Sequence, residues 1–80
     1  MNKIREIHYA LTQYGFDVIL QFPLLLFERR KADFYHVKAI DNLLSSKDIP
    51  IFEIDVHFRN DGSLHVEGIV IFEFEDLNSA

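Results

Sequence analysis

An 80-residue chain is expected to form one domain, residues 1–80, near the lower end of what buries a self-sufficient core. Hydrophobic residues make up 49% of it and eight are Phe, which excludes a disordered tail; the absence of cysteine excludes disulfides, a thiolate nucleophile and Cys-ligated metal centres, and fits a reducing cytoplasm. The net charge of −5 is uneven, since residues 1–40 carry six Lys/Arg against four Asp/Glu and residues 41–80 carry two against nine. Such an acidic half repels phosphates at long range and attracts basic partners, so direct nucleic-acid binding is not expected.

In chain order, Asn2 is a reasonable N-cap, Ile4, Ile7, Leu11 and Tyr14 recur at helical spacing, and Gly15 sits where a helix ends, which predicts a helix over residues 3–14. Phe16, Val18, Leu20 and Phe22 alternate with Asp17, Ile19 and Gln21, a strand pattern that stops at Pro23. Ile19 on its second face implies a strand covered on both sides. The run Val18–Phe27 is interrupted by Gln21 and Pro23 and falls short of the roughly 20 residues that span a bilayer, so no membrane association is expected. A signal peptide is not expected either, because Glu6, His8 and Gln13 break the N-terminal apolar pattern.

Residues 24–31 admit two readings. A helix could begin at Pro23 and run to Ser45, or Leu24–Arg29 could extend the sheet and a shorter helix begin at an Asp33 N-cap. Arg29, Arg30 and Lys31 break the apolar stripe and favour the shorter helix, after which Ser45–Asp48 reads as a loop.

The C-terminal half predicts a β-hairpin, residues 51–59 and 63–75. Phe52, Ile54, Val56 and Phe58 alternate with Glu53, Asp55, His57 and Arg59; Leu64, Val66, Val70, Phe72 and Phe74 hold the even positions beyond the turn, interrupted by Gly68. A three-residue loop, Asn60-Asp61-Gly62, gives paired residues a constant index sum of 122 and puts Gly62 where a G1 bulge needs positive φ. In that register His57 faces His65, Asp55 faces Glu67, Glu53 faces Ile69 and Ile51 faces Ile71, all opposite the apolar core face. The expected fold is therefore α+β, in the order α-β-α-β-β, an antiparallel sheet with its C-terminal hairpin packed against two helices.

Several constellations bear on function. His57, His65, Asp55 and Glu67 form a square from which a divalent cation could draw ligands, although histidines and carboxylates also decorate solvated sheet faces. Ser45, Ser46 and Ser63 carry no nucleophile motif, and three isolated glycines make no phosphate loop, so neither an enzyme nor a bound cofactor is expected. Arg29-Arg30-Lys31, with Phe27, Phe34 and Tyr35 available for stacking, could touch phosphates, or else serve as a solvated turn or as internal partners for the acidic half. His8 and His36 read as helix-boundary residues.

The acidic reading is broader. Glu53, Asp55, Glu67, Glu73 and Glu75 would project from one sheet face with Asp76 adjoining, and Asp55 opposite Glu67 sets like charges directly across strands, which is unfavourable unless water or a basic partner compensates. Ile51, Ile69 and Ile71 share that face. Either Leu24–Phe27 covers them or they centre a dimer or partner interface rimmed by carboxylates.

In size, acidity and lack of a catalytic signature the chain is similar to the small inhibitor proteins of phages and mobile elements, such as anti-CRISPR proteins, immunity proteins and antitoxins. The similarity is one of composition and transfers no residues. It implies a non-enzymatic inhibitor that offers an acidic surface to a basic, nucleic-acid-handling protein. The alternatives are a small metal-binding enzyme or sensor built on the histidine patch, and a homodimeric structural or regulatory protein.

Overall fold

A computed structural model describes residues 2–78. Its elements are α1 (Lys3–Gln13), β1 (Asp17–Gln21), β2 (Leu24–Ala32), α2 (Phe34–Ser46), β3 (Ile51–Phe58), β4 (Leu64–Ile71) and α3 (Phe74–Asn78). The four strands form one antiparallel sheet in the order β1-β2-β4-β3, and the fold is α+β as the sequence pattern implies.

Local chemistry sets the helix ends. Asn2 Oδ1 accepts the Arg5 backbone N–H at 2.9 Å and caps α1. At the other end Gly15 adopts φ 83°, which lets the Phe16 N–H reach back to Leu11 O at 3.0 Å. Asp33 caps α2 reciprocally: its Oδ1 accepts the His36 N–H at 3.2 Å while its own N–H donates to His36 Nδ1 at 3.1 Å. The helix runs to Ser46, two residues into the segment expected as loop.

Of the two readings of residues 24–31, the sheet extension is the one adopted, and it is a separate strand. The chain reverses at Phe22-Pro23, so that Gln21 pairs with Leu24 and Asp17 with Glu28. The observed order is therefore α-β-β-α-β-β-α. In β2, Leu25 and Phe27 are buried, while Leu24, Leu26 and Glu28 point the other way. Because β2 lies between β1 and β4, its Leu24–Phe27 run is apolar on both faces and shows no alternation in the sequence.

The β3–β4 register is the expected one throughout: His57 pairs with His65, Asp55 with Glu67, Glu53 with Ile69 and Ile51 with Ile71. The turn closes through Arg59 N–H to Ser63 O at 3.0 Å and Gly62 N–H to Arg59 O at 3.1 Å, with Gly62 at φ 87°. The hairpin is shorter than expected on its second side. β4 ends at Ile71, the Phe72 N–H donates to Pro23 O at 2.8 Å, and the chain coils into α3, a third helix. Asp76 drives this turn by accepting the Glu73 N–H on Oδ2 at 2.8 Å. The alternation of Phe72 and Phe74 imitated a strand; Phe72 is buried, but Phe74 is 79% exposed and leans on Phe22 with ring centroids 5.7 Å apart.

The core lies on one side of the sheet. Ile4, Ile7 and Leu11 of α1 and Ile40 and Leu44 of α2 meet Leu25, Phe27, Leu64, Val66, Val70 and Phe72. Burying each such side chain contributes about 1.5–3 kcal/mol, so this layer holds the fold together. Among the described residues nothing covers the opposite face. Ile19 is 57% exposed, which corrects the expectation that β1 is covered on both sides.

Candidate functional site on the open sheet face

The open face is organised in rows that run across the strands. Cross-strand partners share a face, so the pairings Asp17–Glu28, Glu28–Glu67 and Glu67–Asp55 place four carboxylates side by side, one from each strand. With strands about 4.8 Å apart, the row extends over roughly 14 Å. The next row is Ile19, Leu26, Ile69 and Glu53, and beyond it come Gln21, Leu24, Ile71 and Ile51. Toward the turn, below Glu67 and Asp55, lie His65 and His57.

The face therefore carries an apolar stripe bordered by acid. Ile51 is 56% and Leu26 41% exposed, while Leu24, Ile69 and Ile71 are half-buried by their neighbours. Leu24–Phe27 does not cover Ile51, Ile69 and Ile71, as one reading proposed; as strand β2 it adds Leu24 and Leu26 to the same uncovered stripe. Between Asp17, Ile19, Leu26, Glu28 and Glu67 the surface dips into a depression of roughly 260 Å³.

The expected acidic surface is redistributed. Glu53, Asp55 and Glu67 stand on the open face with Ile69 and Ile71, but Glu73, Glu75 and Asp76 do not, because the strand ends before them. Asp76 is buried and lies 3.6 Å from Lys3 Nζ, tying α3 to α1 on the helical side. Glu73 shares a carboxyl–carboxyl hydrogen bond with Glu75, which together with the nearby negative charge raises its pKa above the ordinary value. In their place the face gains Asp17 and Glu28. The signal for both was present in the sequence: a two-residue Phe-Pro loop between two apolar runs fixes the β1–β2 register and sets Asp17 against Glu28.

Charge compensation separates the row from the remaining surface. Lys47 reaches Glu6, Lys31 and Arg59 reach Asp61, and Lys3 reaches Asp76, at 2.5 to 3.7 Å. Among the described residues no Lys or Arg is paired with Asp17, Glu28, Glu67 or Asp55, and the ion partners of Glu28 and Glu67 are histidines. His65 Nε2 lies 2.7 Å from Glu28 Oε2 and 3.8 Å from Glu67 Oε1, and His57 Nε2 lies 3.6 Å from that same Glu67 oxygen. The two imidazole rings are 5.7 Å apart between centroids. The histidine patch expected from the hairpin is thus assembled, with Glu28 rather than Asp55 closing on His65.

Of the basic cluster, Arg29 turns inward, while Arg30 and Lys31 stay exposed. Arg29 donates from Nη1 to Tyr14 O and from Nε to Lys31 O, locking the α1–β1 corner beneath Gly15. Lys31 pairs with Asp61, and Phe27 is buried, so it offers no stacking face. The hydroxyls of Thr12, Ser46 and Ser63 donate to His8 O, Leu43 O and Asp61 Oδ1, and none of these three addresses an imidazole base. No helix of the described residues is long and apolar enough to cross a membrane.

No family model, curated protein or solved structure matches this chain.

Proposed function

We propose that the protein is a non-enzymatic binding protein that uses its open sheet face to engage a basic surface of another protein. The observation that carries this reading is the carboxylate row Asp17-Glu28-Glu67-Asp55, which among the described residues has histidines but no Lys or Arg as ion partners, alongside the uncovered stripe of Ile19, Leu26, Ile69, Ile71 and Ile51. Like charges held directly opposite each other on adjacent strands oppose folding, whereas Asp76, Asp61 and Glu6 elsewhere in the chain each have a lysine partner. Lysines and arginines from a partner would relieve it here, and the apolar stripe would supply the desolvated centre that an interface needs.

A row of negative charges at intervals of about 4.8 Å on a rigid sheet is of the same order as the spacing of phosphates along a nucleic-acid strand, about 3.4 Å in rise. The partner class that fits is therefore a nucleic-acid-handling protein whose basic groove is blocked, as in the small inhibitors of phages and mobile elements that the composition resembles.

The test is capture from cells that produce the protein, using the wild-type chain and two charge-reversed chains as bait. A partner of basic surface that is released by salt, lost with Glu67→Lys plus Asp55→Lys and kept with Glu73→Lys plus Glu75→Lys supports the reading. A partner held equally by all three chains refutes it. Interference with that partner's nucleic-acid binding then separates inhibition from simple assembly.

A further inference from the structure

We propose that Glu28, His65 and Glu67 form a binding site for a divalent cation of the zinc class. This inference shares Glu28 and Glu67 with the proposed interface, but it is tested on the isolated chain, so its failure and the failure of the partner reading are distinguishable.

The geometry comes first. Ligand atoms from the three residues lie within 4.8 Å of one another. Two metal bonds of about 2.0–2.1 Å at the tetrahedral angle set their donor atoms about 3.3–3.4 Å apart. The separations of His65 Nε2 from Glu28 Oε2, 2.7 Å, and from Glu67 Oε1, 3.8 Å, bracket that spacing, and an ion entering between them replaces the His65–Glu28 hydrogen bond. His57 Nε2, 3.6 Å from the same Glu67 oxygen, borders the site.

Rigidity comes second. Glu28 and Glu67 are direct partners on two interior strands, and His65 precedes Glu67 by two residues on the same face of β4. His65 and Glu28 are half-buried, which limits the conformational entropy lost when they close on an ion. Donors fixed on strands hold a ligand set more accurately than donors on loops.

Electrostatics comes third. Two carboxylates face each other across β2–β4 with no Lys or Arg paired to either among the described residues, and the group between them is an imidazole, whose neutral form offers a lone pair. A divalent ion satisfies all three at once, with two anionic oxygens and one nitrogen as ligands and water completing the sphere. One nitrogen with two oxygens suits zinc, manganese or cobalt better than calcium, which takes six to eight oxygens. The imidazole must be deprotonated to bind, so affinity should fall as the solution is acidified.

The sequence alone pointed to His57, His65, Asp55 and Glu67 as ligands, and the two sets make different predictions. Asp55 flanks Glu67 on the far side from Glu28. Titration of zinc into the purified wild-type chain, followed by calorimetry and by histidine ring resonances, should give one equivalent bound with the His65 resonances moving first. His65→Ala and Glu28→Gln should each weaken binding at least tenfold, and Asp55→Asn should leave it within about twofold. Circular dichroism without zinc should show all three variants folded, because each side chain lies on the open face. The proposal is overturned if Asp55→Asn weakens binding as much as Glu28→Gln, if His8 or His36 moves in step with His65, or if wild type takes up no zinc at millimolar concentration.

Discussion

The ring of Phe27 occupies the space above Gly68, where an added Cβ would meet the ring Cζ at 2.0 Å. Gly68 sits in β4 between Phe27 of β2 and Ile54 of β3. Its lack of a side chain lets Phe27 lie across the sheet and meet Phe16 edge-on, with centroids 5.6 Å apart. Gly68→Ala should destabilise the fold by about 1–3 kcal/mol, the usual range for overpacking, read from urea unfolding. Gly62 has no atom within 4 Å of an added Cβ but holds φ 87°, so Gly62→Ala should cost about 1 kcal/mol for backbone reasons. Asn should recover most of that loss at position 62 and none at position 68. Equal urea midpoints for wild type and Gly68→Ala would mean the contact is not tight.

The start of α2 offers a second measurement. Asp33 and His36 satisfy each other's backbone N–H groups, so Asp33→Ala removes the cap acceptor and should cost about 1 kcal/mol. Asp33→Ser should retain most of the stability. A variant Asp33→Ala that melts with wild type would show that the cap is replaced by solvent.

Two exposed carboxylates should bend the pH profile in opposite directions. Hydrogen bonds from the Ser63 side chain and backbone, supported by Lys31 and Arg59, hold Asp61 well below its ordinary range. A lowered folded pKa means that the stabilisation is complete above the ordinary Asp value of about 4 and fades as pH falls through the folded pKa. For Glu73 the hydrogen bond with Glu75 and that neighbour's charge raise the pKa, so its contribution is complete below the ordinary Glu value of about 4.3 and is lost as pH rises through the folded pKa. Asp61→Asn should therefore lower Tm at neutral pH, by an amount that shrinks in acid. Glu75→Gln should raise Tm at neutral pH and lose that advantage near pH 4. Parallel Tm curves for both variants and wild type would contradict the assignments.

The contrast between β4 and β2 shows what the chain discloses about its own shape. The β3–β4 register follows from Asn60-Asp61-Gly62 and a two-residue alternation, because one face is buried and the other wet, and a slip by one residue would invert every side chain. It placed His57, His65, Asp55 and Glu67 correctly. β2 was harder to assign because an interior strand with apolar residues on both faces has no alternation, and half the carboxylate row, Asp17 and Glu28, went unrecognised with it. At the C-terminus the reverse occurred: Phe72 and Phe74 alternate, but the Asp76 carboxylate captures the Glu73 N–H and turns the chain before the second Phe. Local hydrogen bonding there outweighs a two-residue pattern.

Charge and apolar contact on the open face can be separated at Leu26. Leu26 lies in β2 between Ile19 and Ile69, is 41% exposed, and neighbours the acidic row through Glu28. If attraction between an acidic face and a basic partner were the whole of recognition, Leu26→Glu would add a favourable charge and tighten binding, most visibly at low salt. If the stripe is the desolvated centre of the interface, the same change buries an unpaired carboxylate and should weaken binding by at least tenfold at any salt. The stripe being continuous across four strands, we expect weakening, with Ile69→Glu behaving alike. The isolated chain should sediment as a monomer at micromolar concentration, since stacking two such faces opposes eight carboxylates of the row. A dimer that dissociates on Leu26→Glu would instead assign the stripe to self-association and remove the basic partner from the centre of the interface.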